Sequence, residues 1–570
     1  MRQGRERAEI RELRENPTTR VLIVGGGING LALFRELALN GVPTVLVDGG
    51  DFASGATAAS SHMIHGGIRY LENGELRLVR ESVQERNALL RIAPHRVRPL
   101  ETTIPIFSTF SGIVTAPLRL LSHSPGRPVE RGALLIRVGL FLYDLFSRDG
   151  GRLPRSRFAG RRRSLAAFPR LNPGVKYTAT YFDAAVHDPE HLGVDVLLDG
   201  LAAGPHARAA NYLRAVGADA RGVRLRDEET GSEFSVAAEL VVNASGPWTD
   251  LTNAALGAAT TLMGGTKGSH IVLDSPELLD ATGGDEIFFE NSDGRIVLIY
   301  PLKGRVLVGT TDLEADPSQP TVCTDQEVQY FFDLVRYVFP TVPLGESDIV
   351  YRYAGIRPLP QHGDLRPGFV SRDYRIVETP LADGALPALS LVGGKLTTFR
   401  ALGEHLADEV MGRLGVRRTV DTGSRRFNGA GGFPAPEQRA NWLRRALPQL
   451  SPARSEVLLT RYGTRAVEVA DAEAQEPGGV APVAGALLSR GELRYLVDRE
   501  RVARLSDVLL RRTDLAFTGA VTRELIDEVA EGLREPLQWS DERVEREIAD
   551  AVALLRDRHD VPVEASAREA

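Results

Sequence analysis

The chain has 570 residues, 43% of them hydrophobic and 25% charged, with a formal net charge of -6. That length exceeds what one hydrophobic core organises, so two or three domains are expected, and the mild acidity gives no electrostatic footprint for nucleic acid. The single cysteine, Cys323, rules out an intrachain disulfide and clustered-cysteine iron–sulfur or zinc sites. No metal is expected, and any redox chemistry must come from a bound organic cofactor.

Residues 1–19 are polar, lack the apolar core of a signal peptide and read as a solvated extension. Val21 to Val24 then form a buried-strand pattern, followed at once by Gly25-x-Gly27-x-x-Gly30. A helix carrying Ile28, Leu31, Leu33 and Leu37 ends at Gly41, and a second strand, Val45 to Val47, closes on Asp48. This is a dinucleotide fingerprint in its strand–helix–strand context. Gly25 permits the tight turn, Gly27 admits a pyrophosphate to the backbone, and Gly30 lets helix and strand close up. Asp48 is placed to accept ribose hydroxyls.

Ser60 to Tyr70, "SSHMIHGGIRY", sets two histidines and an arginine around a bare Gly66-Gly67 pair. "GALLIRVGLFLYDLF", Gly132 to Phe146, falls short of the roughly 20 apolar residues of a spanning helix. Arg137 and Asp144 interrupt it, and it is expected to be a buried helix rather than one lying on a membrane.

Two more strand-to-glycine turns follow, "AELVVNASGPW" and "LSLVGGKLTTFRALGEHL", the second expected to run from Gly394 into a helix with Leu396, Phe399, Leu402 and Leu406 on one face. Three such turns suit an extended FAD better than NAD. The positive end of that helix would stabilise charge on a reduced flavin.

His270, in "KGSHIVL", precedes an apolar run and is either a general base or a hydrogen-bonded structural histidine. Of only four lysines, Lys267 and Lys395 sit in glycine-flanked motifs. Arg357 and Arg372 lie beside loop signals, where guanidinium forks suit a phosphate or carboxylate. Thr310, Thr311 and Asp312 line the same pocket or simply make a turn. "NGAGGFPAP", Asn428 to Pro436, reads as a linker into a helix-rich segment with no glycine cradle.

With "GGGING", "GDFASGATAASS", "IHGGIRYLE", "VVNASGPW", "KGSHIV", "GTTD", "AGIRPL", "SRDY" and "GGKLTTFR" in that order, the chain resembles the FAD-dependent glycerol-3-phosphate dehydrogenase family over nearly everything after the extension. The resemblance implies an α/β fold: a Rossmann-like FAD-binding domain interleaved with an antiparallel-sheet substrate domain, as in glucose-oxidase- and D-amino-acid-oxidase-like flavoproteins, plus a C-terminal α-helical domain. We divide the chain into 1–19, 20–420 and 421–570. It implies oxidation of sn-glycerol 3-phosphate to dihydroxyacetone phosphate by hydride transfer to FAD, with electrons passing to a quinone. His270, Arg357 and Lys395 take the catalytic positions. Arg69, Tyr70 and Arg372, again with Arg357 and Lys395, take the substrate positions.

The implied cofactor contacts begin with Gly25, Gly27, Asn29, Gly30, Asp48 and Thr57. Ser60, Ser61, His65, Gly66 and Gly67 lie near the isoalloxazine. Val216, Ala244, Gly246, Gly394, Leu396 and Thr397 complete the set. The expected location is the cytoplasm, with peripheral contact on the inner face of the cytoplasmic membrane, and a homodimer is left open. One departure stands out: His62 replaces the family's usual Lys or Arg. The stretch 107–132 also looks longer than usual. Dehydrogenases or oxidases of other polyol phosphates, such as erythritol phosphate, share the scaffold and remain the alternative, with a non-catalytic flavin-binding regulator a remote one.

Overall fold

The computed structural model describes residues 6–67, 76–108, 133–146, 153–290, 296–361, 373–483, 485 and 488–563. Arg69, Tyr70, Arg372 and residues 109–132 lie outside them.

Two sheets organise the first 420 residues. In the first, the strands run in the order Arg375–Glu378, Ala388–Val392, Glu233–Asn243, Thr18–Val24, Thr44–Val47, Ala207–Ala210. All neighbours on this path pair in parallel except the antiparallel Arg375–Glu378 edge. The strands are short apolar runs because helices cover them, and Val21 to Ile23, Val45 to Val47, Val241 and Val242 are fully buried. The helix Ile28–Leu39 joins Thr18–Val24 to Thr44–Val47 on one side, while Glu233–Asn243 pairs on the other. The carboxyl end of Thr18–Val24 is therefore the topological switch point, where ligands bind in such sheets.

The second sheet is larger and mostly antiparallel. Met263–Leu273 lies between Ile349–Pro360 and Arg305–Gly309, and Ile296–Leu302 and Glu286–Glu290 follow. One parallel pairing, Glu286 opposite Thr102, joins these strands to Val97–Ile106 and Tyr177–Val186.

The C-terminal helices bury Leu493, Leu496, Leu505, Leu509, Ile526 and Val529 in one cluster with Leu100, Val272, Leu298 and Leu307 of the second sheet. They therefore cap that sheet instead of standing apart.

Several local expectations change. The extension is not wholly solvated: Ala8–Glu15 is a helix whose Ile10 and Leu13 are buried against the first sheet. The segment 428–436 is packed, not free. Phe427 joins the core, and at Gly429 (φ +80°) a side chain would press on Tyr462 and His95. The helix after Gly394 begins only at Phe399, leaving Leu396 to Thr398 in a turn.

Ala133–Phe146 is only half buried. Leu140 is 2% exposed and Tyr143 1%, but Leu134 and Val138 are 51% exposed and Phe141 69%. Among the described side chains, one face meets the core while Leu134, Val138 and Phe141 stay exposed.

Candidate active site

The three glycine turns converge. At Gly25 (φ +113°) a Cβ would sit 2.6 Å from the carbonyl carbon of Ala244, and at Gly30 it would collide with the carbonyl oxygen of Gly25. Ala244 N–H donates to the Val24 carbonyl at 2.8 Å, locking the two strand ends together. At Gly394 (φ +106°) a Cβ would meet the Asn29 amide at 2.5 Å. Gly27, by contrast, faces space where a Cβ would touch only Thr57 Oγ1, at 3.6 Å. Gly27 caps the Ile28–Leu39 helix without a side-chain acceptor, and Thr57 Oγ1 accepts the Ile28 amide at 3.0 Å. A helix N-terminus with only its first amide taken up, beside an open glycine, is a ready anion site.

Asp48 accepts the Gly26 and Gly50 amides, each at 2.7 Å. Burial pushes its carboxyl up to about 6, although those two amides favour the charged form. Asn29 Oδ1 is buried with no hydrogen-bond partner among the described residues. An orphaned acceptor, an open glycine and a helix N-terminus fit the diphosphate and ribose of FAD.

On the second sheet, Met263–Leu273 and Ile349–Pro360 pair so that Thr266, Gly268 and His270 stand opposite Arg357, Gly355 and Tyr353. Alternate residues share a face, so the basic groups are separated by two glycines. The Arg357 guanidinium fills the space above Gly268, and Ala59 fills that above Gly355. Arg357 Nη1 donates to Asp312 at 2.9 Å, and Nη2 to Thr310 Oγ1 at 3.0 Å and to the Thr311 carbonyl at 2.8 Å. "GTTD" thus holds the arginine in place. Thr311 also bonds Glu327 at 2.7 Å.

His270 is 2% exposed, and its ring stacks on Tyr353 with centroids 4.8 Å apart. Nε2 lies 2.8 Å from Ser61 Oγ. Nδ1 is shut off from solvent and has no hydrogen-bond partner among the described residues. Burial, followed by the positive charge of Arg357 and then His62, holds the imidazole well below its usual value, so it is neutral near pH 7. Tyr353 Oη donates to the Ser60 carbonyl at 2.8 Å, so the 59–61 backbone is pinned to the sheet that carries His270.

The other sequence-predicted residues are distributed around these two centres. Lys395 and Thr397 lie in the turn where Gly393 abuts the Asp373 carbonyl, and Lys395 acts on the Glu81 carboxyl. Leu396 packs on the core of the first sheet. At Gly246 (φ +62°) a Cβ would meet Pro358, next to Arg357, at 4.0 Å. Val216 sits in the bulge of Leu213–Asp219. His65 follows the short strand Met63–Ile64.

Gly66 is small for a reason internal to the protein. The Tyr143 hydroxyl occupies the place of its side chain, and its amide donates to Asp183 at 2.8 Å. Gly67 (φ +78°) needs the left-handed region. Lys267 is drawn off to Glu327 at 2.8 Å and to the Val322 carbonyl at 2.7 Å. His62 donates from Nδ1 to the Val186 carbonyl at 3.2 Å, and burial, then Lys303, pushes it down to about 4. The cation near that position is Lys303, paired with Asp188. Sequence reasoning did not single out Tyr353. The signal was its spacing from Arg357, which puts both on one strand face.

A family model for FAD dependent oxidoreductases matches residues 20–409, and one for the C-terminal domain of alpha-glycerophosphate oxidase matches 420–544. The glycerol-3-phosphate dehydrogenase of Synechocystis sp. is 31% identical over 563 residues, covering 94% of this chain and 96% of that protein. The aerobic glycerol-3-phosphate dehydrogenase of Escherichia coli is 31% identical (87% and 94% covered), and the D-erythritol 1-phosphate dehydrogenase of Brucella abortus 33% identical (88% and 95% covered). The fold also matches the crystal structure of the Bacillus halodurans glycerol-3-phosphate dehydrogenase complexed with FAD, with a TM-score of 0.75 at 24% identity over 98% of both chains. With the cradle, the sheet that carries His270 and Arg357 and these matches in hand, the chain belongs to the FAD-dependent glycerol-3-phosphate dehydrogenase family.

Proposed function

We propose that the protein oxidises the secondary hydroxyl of sn-glycerol 3-phosphate to dihydroxyacetone phosphate. The observation that carries the reading is the pairing of a neutral, buried His270 with a fixed Arg357 on adjacent strands of one sheet face. FAD held in this cradle would supply the hydride acceptor for oxidation at the carbinol carbon. His270 takes the hydroxyl proton at Nε2, the nitrogen already hydrogen-bonded to a hydroxyl in Ser61, whereas Nδ1 is enclosed. The burial that lowers its basicity also keeps it unprotonated and ready to accept that proton. Arg357, held by three bonds, offers a preset charge to an anionic substrate. Arg69, Tyr70, Arg372 and Lys395 complete the phosphate contacts.

Electrons leave to a quinone, and the chain meets the inner face of the cytoplasmic membrane peripherally. No helix among the described residues is long and apolar enough to cross a membrane, so contact falls to a surface. The exposed Leu134, Val138 and Phe141 supply a suitable one.

A second reading, oxidation of a longer polyol phosphate, is favoured by the likeness to the erythritol phosphate enzyme and by neutral His62. Steady-state turnover with sn-glycerol 3-phosphate and D-erythritol 1-phosphate, using a quinone analogue and then oxygen as acceptor, separates them. A higher kcat/KM on the three-carbon substrate supports the first reading, and the reverse order replaces it.

A further inference from the structure

The C-terminal helices reach the nucleotide cradle through one buried carboxylate. Asp51 lies just past Asp48, in the loop that carries the cradle's acidic end. Ala53 N–H donates to the Gly26 carbonyl at 2.9 Å, and the Phe52 ring covers Gly26. The loop thus rests directly on the glycine turn.

Asp51 Oδ1 and Oδ2 each accept from Arg512, through Nη2 and Nη1, at 3.0 Å. Arg511 Nε donates to Oδ2 at 2.6 Å, and Asn211 Nδ2 to Oδ1 at 2.9 Å. Arg512 and Asp51 have no exposed side-chain surface. The arginines are themselves anchored. Arg512 Nη2 donates to the Glu500 carbonyl at 2.9 Å, and Arg511 Nη2 to Asp507 at 2.6 Å. Asp507 in turn accepts from Tyr212, whose amide donates to the Gly50 carbonyl at 2.9 Å. The loop is therefore held directly at Asp51 by side chains of the helical domain, and at Gly50 by the backbone of Tyr212, whose hydroxyl that domain engages through Asp507.

Burying this many charges is costly, and replacing them by apolar residues would stabilise a merely structural contact as well or better. Their position beside the cradle suggests a specific use. We propose that Arg511 and Arg512 are positioning residues for FAD: through Asp51 they fix the loop that presents Asp48, so that their grip on Asp51 and binding of the adenosine end of FAD are coupled. The inference rests on the assignment of FAD to this cradle. Coupling is reciprocal, so FAD must also tighten the grip of Arg511 and Arg512 on Asp51.

The test is FAD titration of deflavinated full-length protein, followed by flavin fluorescence. Arg512→Gln and Arg511→Gln should each raise the FAD dissociation constant by about tenfold or more, the usual scale of such coupling. Arg465→Gln is the control. Arg465 is equally buried in the same domain but bonds Asp195 and Glu500, not Asp51. It should lower the melting temperature of the apoprotein without a matching loss of FAD affinity.

Arg512→Lys should restore part of the affinity, keeping the charge but not the fork. If Arg512→Gln does not fold, Arg511→Gln, at the partly accessible position, carries the same comparison. Equal losses of FAD affinity in the Arg465 and Arg511 variants, or no loss in the latter, overturn the coupling. Failure of the unaltered protein to bind FAD overturns instead the cofactor assignment beneath it.

Discussion

His270 Nε2 and Ser61 Oγ lie 2.8 Å apart, joining the proposed base on the second sheet to the loop that leaves the nucleotide cradle. Ser61 therefore orients the imidazole, and in the proposed reaction a substrate hydroxyl binds at the same nitrogen. His270→Gln should slow substrate-dependent flavin reduction by ~10²–10⁴-fold, the range for a lost general base. Ser61→Ala should slow it by about tenfold with little change in KM, as for a group acting mainly in the transition state. Stopped-flow reduction of the two variants checks this, and a KM effect alone in His270→Gln would make it a binding residue.

The same histidine should not titrate near neutrality. Its folded value is lowered, first by burial and then by Arg357 and His62, so the ring stays neutral as pH falls through the usual imidazole value of about 6.5. The depressed value also means that acid favours unfolding, because the unfolded chain binds the proton first. Spectra of ¹³C-labelled histidine, assigned with His270→Gln, should show its resonance unchanged from pH 8 to pH 6. A midpoint near 6.5 would contradict the buried, Arg357-facing environment.

Arg357→Lys keeps the charge but cannot bridge Asp312, Thr310 and the Thr311 carbonyl together. We expect KM for the phosphorylated substrate to rise by about tenfold or more, the scale of a lost charge-assisted hydrogen bond, with a smaller change in kcat. Equal losses for phosphorylated and unphosphorylated polyols would place the phosphate elsewhere.

The half-bare helix Ala133–Phe146 separates attachment from folding. Val138→Glu and Phe141→Glu change side chains that are 51% and 69% exposed, so the melting temperature should stay within about 2 °C, as for surface substitutions. Binding to vesicles of bacterial lipid should fall sharply. Leu140→Glu, at a buried position, should destabilise the fold instead. Unchanged vesicle binding in the first two variants would remove this face as the contact.

The sequence carried some of this plainly. Gly25 and Gly30 were legible because backbone approach at those positions admits nothing larger, Gly27 because its place in the motif leaves the helix end open, and the meeting of the turns at Ala244 and Gly394 follows from strand order. The chemical types of His270 and Arg357 were readable. Their placement was not, because it depends on the register that sets Gly268 opposite Gly355.

The roles of Gly66 and Lys267 were obscured because Tyr143 and Glu327, their actual partners, are distant in sequence. Arg512 and Asp51 are 461 residues apart, and nothing local marks either as a partner of the other. The bare face of Ala133–Phe146 was hidden by a composition that is apolar on every side. Thr397 and Thr398 delayed the last flavin-side helix by forming a turn where a continuous periodic pattern suggested helix.

The most direct measurement mixes the FAD-loaded protein anaerobically with sn-glycerol 3-phosphate while flavin absorbance is followed. The account predicts rapid bleaching with one dihydroxyacetone phosphate formed per flavin, and loss of that phase in His270→Gln. A flavin that stays oxidised with sn-glycerol 3-phosphate but bleaches with a longer polyol phosphate would contradict the substrate, and one that bleaches equally fast in His270→Gln would contradict the base.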